Sequence, residues 1–336
     1  MAVVSLLVLL VAQAGAAALT SRRQVLGGIS GVAAATAGSS AGAAGAAKTY
    51  VVTGASSGIG FAAASELARR GHRCVLACRS VESAEETARR LPAGAVAWTP
   101  RGAGCELGDL AAVDAFADEV SKLDRVDGLL MVAGVDGMPR AKKDDPEPHF
   151  RVNYLGHALL ARRLLPQLRT SRGRVVTVTS EALLDSDLGE AGRLDDLAAS
   201  RGVAPHVAYA NSKAACVLLA DALRAREPSL SVAACALPGR CATQIVRYEL
   251  PQRAAQRATM SEDQIARQAK QLGLRTAAQG AALPIWLADS AEAAQAPETT
   301  LWLDPGVPAR LEASWRTPAT ADRIWDLTTS LLARRS

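Results

Sequence analysis

From Tyr50 onward two hydrophobic patterns alternate along the chain. Short apolar runs, "YVVT", "RCVLAC", "AVAW", "GLLMVA", "RVVTVTS", "SVAACAL" and "TTLWL", are separated by longer stretches in which apolar residues recur every three or four positions. The short runs read as strands. Their near-continuous apolarity predicts burial on both faces, hence a parallel sheet. The longer stretches, among them "GFAAASELARR", "LAAVDAFADEVSKL", "PHFRVNYLGHALLARRLLPQL" and "HVAYANSKAACVLLADALRAR", read as helices, with Gly71 and Pro92 as stop signals. Seven strands alternating with helices predict an α/β fold: one domain with a doubly wound seven-stranded parallel sheet, and ligand at the carboxyl ends of the strands. No internal repeat is visible. The polar, helix-prone stretch from Arg240 to Gly273 reads as a flap over that site.

Composition changes this picture at the amino-terminal end. Residues 1–47 are almost wholly Ala, Gly, Ser, Val and Leu, so the fold is assigned to residues 48–336 and the leading segment is left out of it. "MAVVSLLVLLVAQAGA" has a short apolar core before Ala14-Gly15-Ala16, as in a secretory signal, although a basic start is missing. Next comes "TSRRQVLGGISGVAAATAG", whose Arg22-Arg23 precedes a weakly apolar run, as in a twin-arginine signal. The two together read as a compound plastid address, with the thylakoid as a further destination. The other reading is a single anchor that associates the chain with an endomembrane.

Charge excludes one class of partner. A formal net charge of +5 with acidic residues interspersed throughout leaves no basic face for nucleic acid. The six cysteines lie mostly inside apolar runs without metal-ligand spacing, and read as small buried residues in a reducing compartment.

Two stretches carry chemistry. In "YVVTGASSGIG" a strand runs straight into a glycine-rich turn and a helix. That arrangement points backbone N–H groups and the positive end of the helix dipole at a phosphate. Gly54 permits the turn, Gly58 the close approach of a pyrophosphate, and Gly60 the packing of helix on strand. In "YANSK", Tyr209 and Lys213 stand four apart on a predicted helix and share a face. A neighbouring ammonium favours the phenolate, which makes Tyr209 a candidate general acid or base.

In this order and spacing, T-G-x-x-x-G-I-G at 53–60, N-x-x-G from Asn153 to Gly156, "VTS" ending in Ser180, Y-x-x-x-K at 209–213 and "PGRCAT" from Pro238 to Thr243 resemble the short-chain dehydrogenase/reductase family, across residues 49–334. "VLACRS", "RVNYLGHALLARRLLPQL" and "ADRIWDLTTSLL" are similar to its retinol dehydrogenase-like branch, with protochlorophyllide reductases as close relatives. The resemblance implies a Rossmann fold and a metal-free oxidoreductase that uses NADP(H) on a carbonyl or alcohol, lipophilic in this branch. Tyr209 would then give or take the proton, Lys213 would lower its pKa and hold the nicotinamide ribose, Ser180 would bond the substrate oxygen, and Asn153 would support a water leading to Lys213. Cofactor contacts would fall on Gly54, Ser56, Ser57, Gly58, Ile59, Gly60, Arg79, Glu106, Leu107, Ala133, Gly134, Tyr209, Lys213, Pro238, Gly239 and Thr243. Helices like the one bearing Tyr209 pair between subunits in this family, which implies a homodimer.

Some positions depart from the family. Met131 and Val132 replace two polar residues, Glu106 stands for the usual Asp behind an insert "TPRGAG", and Leu237 precedes Pro238 where the branch often has His. The lost polar pair is the reason to weigh a non-catalytic NADP-binding scaffold or redox sensor against the enzyme. A C=C reductase of the protochlorophyllide type is a further alternative, although those proteins carry Cys where Met131 stands. For the cofactor, no acid follows "RCVLAC" until Glu82 while Arg79 follows directly, a pattern that accepts a ribose 2′-phosphate. Leu183, Leu184, Val203 and Ile245 are candidates for an apolar substrate pocket.

Overall fold

The structure, a computed structural model, describes residues 46–139, 145–243, 245, 259–296 and 299–334. Nearly all of the predicted leader, and residues 244 and 246–258 of the predicted flap, lie outside the described residues. Each apolar run becomes a strand: β1 (Thr49–Thr53), β2 (Arg73–Ala77), β3 (Val96–Trp98), β4 (Gly128–Met131), β5 (Arg174–Val178), β6 (Val232–Ala236) and β7 (Leu301–Asp304). They pair in parallel in the order β3-β2-β1-β4-β5-β6-β7. The expected seven-stranded sheet gains one member. β8 (Val307–Pro308) pairs antiparallel with β7 at the edge, so the sheet has eight strands. Two residues that end in Pro and follow a turn at Gly306 (φ +74°) are too few to show a period in the sequence.

The helices are α1 (Gly58–Arg69), α2 (Val81–Arg90), α3 (Leu110–Ser121), α4 (Pro148–Phe150) running through a π-helical turn (Arg151–Leu155) into α5 (Gly156–Ser171), α6 (Arg193–Ala198), α7 (Pro205–Arg226), α8 (Glu262–Gln271), α9 (Ala277–Asp289), α10 (Ala291–Ala294) and α11 (Pro318–Ala333). The period-2 geometry of the strands sorts the core into two. On one face Val52, Leu76 and Leu130 meet Ala64 and Leu67 of α1 and Leu283 of α9. On the other, Val51, Leu129 and Val175 meet Phe116 of α3, Leu164 of α5 and Leu218 of α7. Each fully buried Leu, Val or Phe contributes about 1.5–3 kcal/mol. The strand order reverses between β1 and β4, and the crevice of such a sheet opens there.

The amino-terminal end of β1 is fastened to α9. Tyr50 passes over β4 at Gly128, where a Cβ would lie 2.6 Å from the ring, and its phenol donates to Asp289 at 2.8 Å. Asp289 also pairs with Lys48 at 2.9 Å and Arg70 at 3.2 Å. Burial pushes its carboxyl up, but bonds from His72, Lys48 and Tyr50 outweigh that and hold it well below the usual carboxylate range. All six cysteines are free thiols; five are buried and Cys241 is half-buried.

α11 packs across α7 and α5: the Tyr154 and Thr328 hydroxyls are 2.8 Å apart, and Arg162 donates to the Trp325 carbonyl at 3.2 Å. The guanidinium groups of Arg162 and Arg226 lie 4.3 and 5.0 Å from the centre of the Trp325 ring. Among the described residues no helix is long and apolar enough to cross a membrane.

Candidate active site

β1 ends in a glycine turn whose geometry matches the roles expected of each glycine. Gly54 has φ +66°, and a Cβ there would meet the Ala133 backbone at 2.9 Å. Gly58 has φ +56° and would meet Thr243 at 3.3 Å. At Gly60 a Cβ would stand 2.3 Å from the Gly54 carbonyl oxygen, so only glycine lets α1 start this close to its strand. The Ser57 side chain makes no capping bond and the first turn of α1 holds no acid, which leaves the N–H groups of Gly58, Ile59 and Gly60 to an outside acceptor. This open cradle fits a pyrophosphate. Arg79 is exposed just past β2, where a 2′-phosphate is expected. Arg90, which the sequence did not single out, donates to the Ser56 carbonyl at 3.0 Å and steadies the turn. Glu106 spends one carboxylate oxygen on the Gly108 N–H at 3.1 Å, and the Leu107 side chain lies in the core, so Leu107 presents only backbone to a ligand. Pro238 and Gly239 are held from behind by Arg275, which donates to the Pro238 carbonyl at 3.3 Å and forks onto Asp304 at 3.1 and 2.9 Å.

Thr53 ties down the start of the loop that follows β4. Its Oγ1 accepts from the Val132 N–H at 2.9 Å and the Ala133 N–H at 3.1 Å, which is why β4 stops at Met131. It also lies 2.9 Å from His157 Nε2. The tautomer follows from the other end of the ring: Nδ1 faces the Asn153 carbonyl at 2.9 Å, which only accepts, so Nδ1 carries the hydrogen and Thr53 donates to Nε2. Burial, and the charge of Lys213, push His157 down to about 4. Met131 fills the core instead of bonding.

Asn153 reaches its place through the π-helical turn. Its Oδ1 accepts from Val135 N–H at 2.8 Å, while Nδ2 donates to the Val135 carbonyl at 3.0 Å and to Ser212 Oγ at 2.9 Å. Its main-chain carbonyl accepts from His157 and from Cys216 Sγ at 3.4 Å. The remaining lone pair on Oδ1 faces the Gly134 side of the cleft, where a Cβ would lie 3.6 Å from Oδ1 and 3.1 Å from Lys213 Nζ.

Tyr209 and Lys213 stand one turn apart near the start of α7, whose first residue is Pro205. Both are buried, with the ammonium 5.7 Å from the centre of the phenol ring and 3.4 Å from the Val178 carbonyl. Thr179 and Thr177 donate to the carbonyls of Lys213 at 2.7 Å and Cys216 at 3.0 Å, which locks the helix against β5. Asn211 and Ser212 are equally committed: Asn211 holds the 186–187 loop, and Ser212 donates to the Tyr209 carbonyl at 2.7 Å. The Ser180 hydroxyl caps the turn that follows β5 and lies near enough to the phenol to favour its ionised form. Burial raises the Tyr209 phenol above its ordinary value; Lys213 and then Ser180 push it back down without reversing the shift.

The apolar candidates divide. Leu183 and Val203 belong to the core, Leu183 because the segment after β5 folds inward as a short 3₁₀ turn. Ile245 stays at the site, 3.8 Å from where a Cβ of residue 134 would be. Leu184 borders a separate cavity of about 220 Å³ with Leu311 and Trp315.

Residues 48–190 match the family model described as short chain dehydrogenase. Human retinol dehydrogenase 13 is 35% identical over 206 residues, covering 60% of this chain and 61% of that protein. Mouse retinol dehydrogenase 12 is 36% identical over 204 residues, covering 60% and 63%. The chain therefore matches about six-tenths of the length of these curated relatives. Among solved structures, an uncharacterised protein of Mycobacterium paratuberculosis superposes with a TM-score of 0.60 at 26% identity, covering 84% of this chain and 92% of that one.

Proposed function

We propose that this chain, which belongs to the short-chain dehydrogenase/reductase family, is an NADP-dependent oxidoreductase that moves hydride between a nicotinamide and a carbonyl or alcohol carbon. One observation carries the reading: Tyr209 and Lys213 stand buried one turn apart on α7, with the half-buried Ser180, just past the end of β5, near the phenol. In the reducing direction the Ser180 hydroxyl and the Tyr209 phenol donate to the substrate oxygen. As the carbon takes up hydride, the oxygen takes the phenolic proton, and the Lys213 ammonium stabilises the phenolate left behind. When bound, the nicotinamide supplies the hydride. The turn at Gly54, Ser56, Ser57, Gly58 and Ile59 would hold its pyrophosphate, and Lys213 its ribose.

Arg79 supports NADP over NAD. Ile245 beside the site, and the names of the retinol dehydrogenases it resembles, support a lipophilic substrate. Against the scaffold alternative stands the complete set of Asn153, Ser180, Tyr209 and Lys213, for which a non-catalytic protein has no evident need. Purified protein with NADPH and a panel of aldehydes and ketones tests the reading; cofactor binding with no turnover on any of them would return the scaffold. Arg22-Arg23 and the Ala-rich steps upstream of Lys48 support a plastid address. Intact mass of the native protein should then show a start near residue 40–50, and a full-length chain would favour the anchor.

A further inference from the structure

The loop that follows β4 is held at three places. Thr53 takes the Val132 and Ala133 N–H groups, Asn153 clamps Val135 by both its N–H and its carbonyl, and the Met138 N–H donates to His149 Nε2 at 3.1 Å. His149 is itself fixed. An acceptor Nε2 puts the ring hydrogen on Nδ1, which donates to the buried Glu147 at 2.7 Å, and the ring stands edge-on to Tyr209 with centroids 6.0 Å apart. Between the second and third anchors lies Asp136. It is half-buried, and among the described residues its carboxylate accepts only from the N–H of the adjacent Gly137, at 2.8 Å. No salt bridge joins it to a cation among the described residues, although its charge is felt at the Tyr209 phenol. A half-buried carboxylate with most of its lone pairs unspent among the described residues, carried by a loop anchored at Asn153 and at the His149 ring that stands against Tyr209, favours a partner that brings a donor.

We infer that Asp136 determines specificity, selecting carbonyl substrates that carry a hydrogen-bond donor, a hydroxyl, on the carbon next to the reacting one, and turning away those that carry a carboxylate there. The inference rests on the oxidoreductase reading above and sharpens its substrate class. The donor sits at the reacting end, so it is compatible with an otherwise apolar molecule whose body lies toward Ile245. A rival role is purely local: the carboxylate caps the turn at Gly137, where φ is +69°. Asp136→Asn separates the two, because an amide oxygen can keep the bond to the Gly137 N–H while the charge is gone.

The test compares three probes of nearly equal shape, α-hydroxyacetophenone, propiophenone and benzoylformate, in turnover with NADPH and in equilibrium binding by ligand-observed NMR. The unmodified protein should favour the hydroxyketone over propiophenone by about tenfold to a hundredfold in kcat/KM and in affinity, the range for a hydrogen bond to a charged group. Benzoylformate should rank last. In Asp136→Asn the first ratio should fall below about threefold and benzoylformate should gain. Turnover of hydroxyketone and propiophenone at similar kcat/KM, or a preference that Asn leaves intact, overturns the inference while the oxidoreductase reading stands. Absence of turnover with a binding preference that Asn abolishes does the reverse.

Discussion

Gly54, Gly58 and Gly60 shape one side of the cleft by what they lack, whereas Asn153, His157, Ser212 and Lys213 shape the other by the bonds they make. On the glycine side every distance that matters runs from an absent Cβ to backbone or to Thr243. Function there depends on emptiness and on N–H groups left without partners. On the catalytic side almost every polar atom is buried and spoken for, down to the two lone pairs of the Asn153 carbonyl. The two sides should therefore fail differently. A side chain added to the first blocks one local approach, while a group removed from the second strands its neighbours, at about 1–3 kcal/mol for each buried partner left unpaired.

The sharpest break is expected at Tyr209. Tyr209→Phe keeps the ring and the helix but removes the proton, so turnover should fall by roughly 10² to 10⁴ while cofactor affinity stays within a few-fold. More than a tenth of the original rate in steady-state assays would refute the role. Next in size is the response of the catalytic side to acid. His157 is held neutral in the fold, with its pKa pushed from 6.5 down to about 4, whereas the unfolded chain takes up its proton below 6.5. Stability should be full above pH 6.5 and decline as pH falls toward 4, by about 3 kcal/mol across the window. Chemical denaturation at pH 7, 5.5 and 4.5 would show this slope, and His157→Gln should flatten it; an unchanged slope in that variant would assign the acid sensitivity elsewhere.

The glycine side should respond with a smaller, local loss. Gly60→Ala places a Cβ 2.3 Å from a backbone oxygen that has little room to move. Overpacking of this kind costs about 1–3 kcal/mol, and it should appear in the melting temperature and in weaker NADPH binding together. Unaltered binding would mean that α1 can start elsewhere. The mildest effect is expected at the exposed Arg79. Arg79→Asp should lower the ratio of kcat/KM for NADPH over NADH by about tenfold or more and leave catalysis in place, because one charged hydrogen bond is exchanged for repulsion. An unchanged ratio, or equal use of both cofactors by the unmodified protein, would remove Arg79 from the site.

The same two regions divide what could be read beforehand. The seven parallel strands, the crevice at their carboxyl ends, the three glycines and the Tyr209–Lys213 pair were all legible in the sequence, because each depends on residues close together in the chain. Apolar runs, a turn and one helical repeat follow from local sterics and periodicity. Tertiary structure alone decided the rest. It brought Val135 to Asn153 and Thr53 to His157 across spans of 18 and 104 residues. It sent Leu183 and Val203 into the core, added β8, and laid α11 against α7. It also let burial outweigh Lys213 at the Tyr209 phenol. Burial and the satisfaction of buried polar groups are set by whatever the whole chain brings near a given atom, and no window of sequence contains that.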